Sequence, residues 1–243
     1  MPDMRAAAQL GPHRRTDVRL LPPLPALRTR LIAIVILGVA FIALTLAITG
    51  GFFSGLDLRV ALAMHEAWRP ALHPLFQAIA LLGGFELTTA LMLGLSFYLW
   101  RSGFGSDALV FVVFFAAQAF EVFYKYNLHH PEPPRSLAES DGPSITQAFT
   151  STTGVGNSFP SGHMLRTVIA YGLLAFVIRR LSPSPWVRLA AVVGAVAIVV
   201  LMAFDRLYLD VHWESDVVGG LILGAIGLLA CTVWLDRPKK LQN

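Results

Sequence analysis

The sequence predicts an all-α protein: a polytopic membrane helix bundle of six transmembrane helices, with both termini in the cytoplasm and an amphipathic helix on the surface. Three observations carry this expectation. Only 14% of the 243 residues are charged, where a soluble domain carries about 25%, and mean hydropathy is +0.62. The charges are clustered, and the apolar runs between them approach the roughly 20 residues that a helix needs to cross a bilayer. Lys and Arg also gather at one set of run ends. A membrane β-barrel would show alternating segments of about ten residues, and the sequence has none.

Taken in order, residues 1–30 are rich in Arg and Pro, lack an apolar helical face, and are expected to form a mobile cytoplasmic arm. An uncharged run begins at Leu31 and continues to about Phe53. It exceeds the about 7–15 residues of a signal-peptide core, so it is expected to be a retained first span. Further spans are expected near 76–100, 107–127, 163–180, 187–204 and 216–235, with Gly83, Gly84 and Glu86 interrupting the first of these. Residues 57–73 mix Asp57, Arg59, His65, Glu66, Arg69 and His73 with apolar residues, the pattern of a helix lying at the surface. One domain, 31–236, and a short cytoplasmic tail, 237–243, complete the organisation.

Orientation follows from the basic residues. With the N-terminus inside, Arg5, Arg14, Arg15, Arg19, Arg28, Arg30, Arg101, Arg179, Arg180, Arg188, Arg237, Lys239 and Lys240 are cytoplasmic. Arg59, Arg69, Lys125, Arg135, Arg166 and Arg206 then lie outside or near outer span ends, where orientation does not account for them. The basic residues form no single stripe, which argues against a nucleic-acid partner. The single cysteine, Cys231, lies in the last apolar run and can form neither an intramolecular disulfide nor a Cys-based metal site. It reads as a small apolar packing residue.

Three polar clusters fall on the outer side. The first ends the third span, where Lys125 precedes Pro131, Pro133 and Pro134. Lys125 reads either as an anion ligand or as a snorkelling cation paired with Glu121 four residues earlier. The second, Pro160-Ser161-Gly162-His163, opens the fourth span. A small hydroxyl residue and a glycine before a helix can present backbone N–H groups to an anion, with His163 at the rim. The plainer reading is a Ser161 helix cap followed by an interfacial histidine. The third runs from Asp205 to Asp216. His212 and Asp216 are four apart, so on a helix they share a face. The aspartate can then accept one imidazole N–H and leave the other ring nitrogen as a nucleophile. Arg206 supplies a planar cationic fork suited to phosphate. The plainer reading is a polar loop with a helix-start aspartate. The topology puts all three clusters on one face, which favours a common phosphoryl-transfer site.

These residues resemble the motifs of the type 2 phosphatidic acid phosphatase superfamily, which run Lys-x6-Arg-Pro, Pro-Ser-Gly-His and Ser-Arg-x5-His-x3-Asp. The second is complete at Pro160–His163. The third is present as Arg206, His212 and Asp216, with Asp205 in place of the leading serine. In the first, Lys125 and Pro133 match, but Glu132 stands where the arginine belongs. The resemblance covers about residues 50–235. It implies an integral-membrane lipid phosphatase or pyrophosphatase that needs no metal or other cofactor. His212 would form a phosphohistidine, Asp216 would orient it, and His163 would protonate the leaving oxygen and then activate water. Lys125, Arg206 and the backbone at Ser161 and Gly162 would hold the phosphoryl oxygens. Two readings of Glu132 stay open: Arg135, three residues on, substitutes for the missing arginine while Glu132 pairs with it, or Glu132 faces a cationic or hydroxyl-rich part of the substrate headgroup.

The resemblance further implies a phosphorylated lipid substrate of the undecaprenyl diphosphate, phosphatidylglycerol phosphate or phosphatidic acid class. The enzyme would sit in the cell (inner) membrane with its active site facing the exterior or periplasm. Two other functions stay open: a phosphotransferase acting on a second lipid, and a non-catalytic lipid-binding or transport protein with a decayed site. Vanadium haloperoxidases share the anion site but are soluble, unlike a chain with these apolar runs. The Ser/Thr/Gly-rich stretch from Ser136 to Ser158 reads either as a lid or as plain linker.

Overall fold

Apolar periodicity in long runs becomes helix throughout the computed structural model, which describes residues 27–133 and 157–237. Eight α-helices follow in order among the described residues: α1 (Leu27–Thr49), α2 (Ser54–Ala67), α3 (His73–Gly83), α4 (Phe85–Arg101), α5 (Val110–Asn127), α6 (Gly162–Leu181), α7 (Pro185–Tyr208) and α8 (Glu214–Leu235). A 3₁₀ turn, Pro70–Leu72, joins α2 to α3. The boundaries have local causes. Proline cannot continue a helix interior, and it biases the residue before it towards extended backbone. Accordingly α6 ends at Leu181 with Ser182 as its C-cap, just before Pro183, and α7 opens with Pro185 behind the N-cap Ser184.

Helix α6 is the centre of the bundle, packed against α3, α4, α5, α7 and α8, while α1 lies along α8. Its Met164, Leu165, Ile169, Ala170 and Leu173 are fully buried. Contact with α8 is close because α8 presents glycines there. A Cβ at Gly220 would sit 2.4 Å from the Ser161 carbonyl oxygen, one at Gly224 2.8 Å from Val168 Cβ, and one at Gly227 2.5 Å from Ile169 Cδ1. Small residues let helix backbones approach in this way where lipid removes the hydrophobic drive for association.

The outward faces are apolar. Val35, Ile36, Val39 and Leu46 on α1, and Val193, Val196 and Val200 on α7, are all more than half exposed. A soluble monomer rarely shows so continuous an apolar surface. Among the described residues, four stretches are long and apolar enough to cross a membrane: Leu27–Thr49, Pro70–Arg101, Pro185–Tyr208 and Glu214–Leu235. The chain is an all-α, multi-pass membrane bundle.

The elements differ from expectation in instructive ways. The first begins at Leu27 rather than Leu31, because Arg30 turns inward: Nη1 donates to the Thr232 carbonyl at 3.0 Å and Nη2 pairs with Asp236 at 2.6 Å. Arg180 reaches the same carboxylate at 3.0 Å, so a basic clasp closes the end of the bundle remote from the polar clusters. The expected span 76–100 is two helices, α3 and α4, separated at Gly84. The interruption is used: the Leu82 carbonyl accepts from Tyr171 Oη and the Gly83 carbonyl from Arg166 Nε, each at 3.0 Å.

The stretches expected as spans at 107–127 and 163–180 form the helices α5 and α6, but both carry charged side chains and neither is among those four. The surface helix expected over 57–73 is α2 and its following turn. It does not bury an apolar stripe: Leu58 and Leu62 are exposed, and the one residue it buries is Asp57. The arm as far as residue 26, the stretch 134–156 including Arg135, and the tail beyond 237 lie outside the described residues.

Candidate active site

The three polar clusters meet at one end of the bundle. Hydrogen bonds to the main chain join their elements. The Ser161 amide at the head of α6 donates to the Asp216 carbonyl at 3.0 Å. Beyond α5, the Asn157 side chain donates to the Lys125 carbonyl at 2.8 Å and accepts from the His130 amide at 3.0 Å. An antiparallel bridge between Pro131 and Asn157 continues this junction. Trp213 Nε1 then donates to the Pro131 carbonyl at 2.8 Å, tying the same segment to the start of α8.

His212 and Asp216 contact each other, though not as a helical pair. His212 precedes α8, and Asp216 is in its first turn. The carboxylate folds back: Oδ2 accepts from the Trp213 amide at 2.9 Å and lies 3.3 Å from His212 Nδ1. With Nδ1 facing the carboxylate, Nε2 is the nitrogen left for chemistry. Asp216 is fully buried, and its other oxygen, Oδ1, lies 3.3 Å from His130 Nε2. A single carboxylate thus stands between two imidazoles.

Asp216 is also positioned from below. The side chain of Asp57 accepts from the Ser215 amide (Oδ1) and from the Ser215 hydroxyl (Oδ2), each at 2.9 Å, and both residues are buried. Carboxylates are favoured at a helix N-terminus because they satisfy unpaired N–H groups. Here the carboxylate arrives from α2 rather than from the helix itself.

His163 occupies the first turn of α6, with Nδ1 3.4 Å from Arg166 Nη2. Arg206, Arg166, His212 and Lys125 all act on it electrostatically. Arg206 is fully buried in the last turn of α7, not in a loop, and its Nε donates to Asp205 at 2.9 Å. The carboxylate in place of the family's serine therefore holds the arginine from the adjacent position. Lys125 Nζ lies 3.0 Å from Glu121 Oε1, the pairing its i, i+4 spacing suggested. The other Glu121 oxygen is 3.6 Å from Arg166 Nη1.

Gly162 has a steric reason to be glycine: a Cβ there would fall 2.1 Å from Glu121 Oε1. Ser161 stands at the N-cap position, but its side chain makes no capping bond. Its hydroxyl is buried with no hydrogen-bond partner among the described residues. Its amide, expected in an anion cradle, is instead occupied by the Asp216 carbonyl.

Lys125, Ser161, Gly162, His163, Arg206, His212 and Asp216 are therefore gathered at one end of the bundle. Sequence reasoning passed over Asp57, His130 and Arg166 as parts of this site. Asp57 carries no local signal, since its partner is 158 residues away. Arg166 does carry one, an arginine a single turn after His163 inside an otherwise apolar helix.

This constellation, on a bundle of apolar helices, defines a membrane phosphoryl-transfer class of protein. The sequence profile of the PAP2 superfamily matches residues 107–240, and the chain belongs to that superfamily of membrane lipid phosphatases. It is 30% identical over 151 residues to YbjG, an inferred undecaprenyl-diphosphatase of Escherichia coli (strain K12), covering 61% of this chain and 69% of that protein. It is 35% identical over 71 residues to phosphatidylglycerophosphatase B of Bacillus subtilis (strain 168), covering 28% of this chain and 34% of the relative. An undecaprenyl-diphosphatase of Sulfolobus acidocaldarius is 32% identical over 88 residues, which span 35% of this chain and 38% of the relative. The fold is that of a transmembrane PAP2-type phosphatidylglycerolphosphate phosphatase from Bacillus subtilis, with TM-score 0.71 at 22% identity over 86% of this chain and 98% of that one.

Proposed function

We propose that the protein hydrolyses the phosphate or diphosphate of a membrane lipid through a phosphohistidine on His212. The undecaprenyl diphosphate and phosphatidylglycerol phosphate classes are the first candidates, because relatives carry those names. The observation that carries the reading is the buried Asp216 carboxylate at 3.3 Å from His212 Nδ1, with His163 at the head of the neighbouring helix.

The chemistry follows from these groups. Asp216 holds the Nδ1 proton of His212 and stabilises the imidazolium that forms as Nε2 attacks phosphorus. The phosphorus–oxygen bond to the lipid breaks, and His163 gives the leaving oxygen a proton. Water then attacks the phosphoryl group, His163 takes its proton, the phosphorus–nitrogen bond breaks, and phosphate leaves. Lys125, Arg206 and the amides opening α6 beyond Ser161 bear the phosphoryl charge. Fixed cations and amides perform the charge stabilisation that a metal would supply elsewhere. No cofactor is required by this scheme.

In the bilayer we place α1, the α3–α4 pair, α5, α6, α7 and α8 as six spans, with both termini in the cytoplasm and the site facing outward. The Arg30 and Arg180 clasp at the remote end fits the basic bias of cytoplasmic span ends. The test is phosphate release from a panel of lipid monophosphates and diphosphates by purified protein. Release by the wild type and its loss in H212A support the scheme, and equal release by both would overturn it.

A further inference from the structure

We propose that Arg166 is the third phosphoryl-binding cation of this site, taking from helix α6 the work that Glu132 cannot do from the segment after α5. The inference rests on the phosphatase reading above. Where the family motif has an arginine, this chain has a carboxylate that repels phosphate. The structure brings another guanidinium to the same group of residues. Arg166 Nη2 lies 3.4 Å from Nδ1 of His163, and Nη1 lies 3.6 Å from Glu121. Glu121 in turn carries Lys125 on its other oxygen, so Arg166 and Lys125 flank a single carboxylate.

Charge balance argues for the assignment. Glu121 pairs with Lys125, Asp205 pairs with Arg206, and Asp216 lies between two imidazoles. Both motif cations are thus already matched by carboxylates, and Glu132 adds a further negative charge where the motif has a cation. A third cation beside His163 favours uptake of a phosphate anion. The side chain is also pre-positioned: Nε donates to the Gly83 carbonyl at 3.0 Å, an acceptor exposed by the break between α3 and α4. A guanidinium held in this way loses little freedom when it binds a phosphoryl oxygen. An arginine inside a spanning helix is costly and is expected to serve a function there.

The experiment compares wild type, R166Q, R166K, R135A, E132R and the double variant E132R/R166Q in detergent micelles. It measures lipid phosphate release, inhibition by inorganic phosphate, and orthovanadate binding by ⁵¹V NMR. The expected result for R166Q is a fall in kcat/KM of about 10²-fold, the scale of losing one transition-state donor, together with weaker phosphate inhibition and vanadate binding. R166K should retain part of the activity, because it keeps the charge and loses the fork.

The decisive arm is E132R/R166Q, which puts a guanidinium back at the family's own position. Activity recovered there means that Arg166 acts by binding phosphate, since a purely structural arginine would not be replaced from another element. R166Q with wild-type kinetics would overturn the proposal, as would its inactivity with unchanged vanadate binding. A loss confined to R135A would overturn it in favour of that residue. If the wild type released no phosphate yet bound vanadate in an Arg166-dependent way, the anion site would stand and the hydrolase reading would fall. Vanadate binding equal in wild type and R166Q would remove the assignment whatever the turnover. Thermal melting of each variant separates loss of function from loss of fold.

Discussion

Asp57 accepts two hydrogen bonds of 2.9 Å from Ser215, one from its amide and one from its hydroxyl, across 158 residues of chain. Ser215 precedes Asp216, so α2 grips the helix start that aims the His212 partner. D57A strands a buried N–H and a buried hydroxyl, each worth about 1–3 kcal/mol when unsatisfied. The expected outcome is a lower thermal midpoint and a reduced kcat. D57N keeps an acceptor for the amide and should lose less of both. Melting curves and turnover with one lipid substrate check this, and a D57A protein with wild-type stability would count against the grip.

At Gly162 a single methyl group is too much. G162A would drive Cβ to within 2.1 Å of a Glu121 oxygen, displacing either the carboxylate or the head of α6. Overpacking of this kind costs about 1–3 kcal/mol, and here it also disturbs the Lys125 pairing and His163. Phosphate release should collapse, whereas G194A, in open space on α7, should behave as wild type.

His130 shares the Asp216 carboxylate with His212, at 3.3 Å from each oxygen's own imidazole. H130A should lower kcat with little change in KM. H130Q places an amide donor near the former Nε2 and should recover part of the rate. Steady-state kinetics at fixed pH distinguish the two variants, and identical behaviour would mean that the histidine only fills space.

The fixed cations of the site make a divalent ion unnecessary to the proposed steps. Phosphate release should therefore persist in EDTA. Strict dependence on added Mg²⁺ or Mn²⁺ would contradict the scheme.

R30A separates stability from chemistry. It breaks the contacts to Thr232 and Asp236 at the end of the bundle remote from His212. The thermal midpoint should drop while KM stays unchanged.

Much of this was legible in the sequence, for physical reasons. Apolar runs bounded by charges mark helices, because a span must satisfy its own backbone. His163, His212 and Asp216 stood out through local spacing and hydroxyl–glycine chemistry. Their geometry was less legible. The His212–Asp216 contact arises from a carboxylate folding back on the Trp213 amide, not from a shared helical face. Asp57 was hidden inside what looked like an interfacial helix, because a hydrogen bond between distant segments leaves no periodic trace. Arg166 stood out as a basic residue that orientation does not explain, but its partners on α3 and α5 are distant in sequence and left no local sign of its place in the site.

The glycine stripe of α8 has a mechanical consequence. With Gly220, Gly224 and Gly227 pressed onto α6, the two helix backbones lie close together, and the Ser161 amide is bonded to α8 as well. The element bearing His163 and the element aimed at His212 behave as one stiff block. The spacing between the proposed acid, His163, and the proposed nucleophile, His212, is thereby set by how two helices pack and not by the reach of flexible side chains.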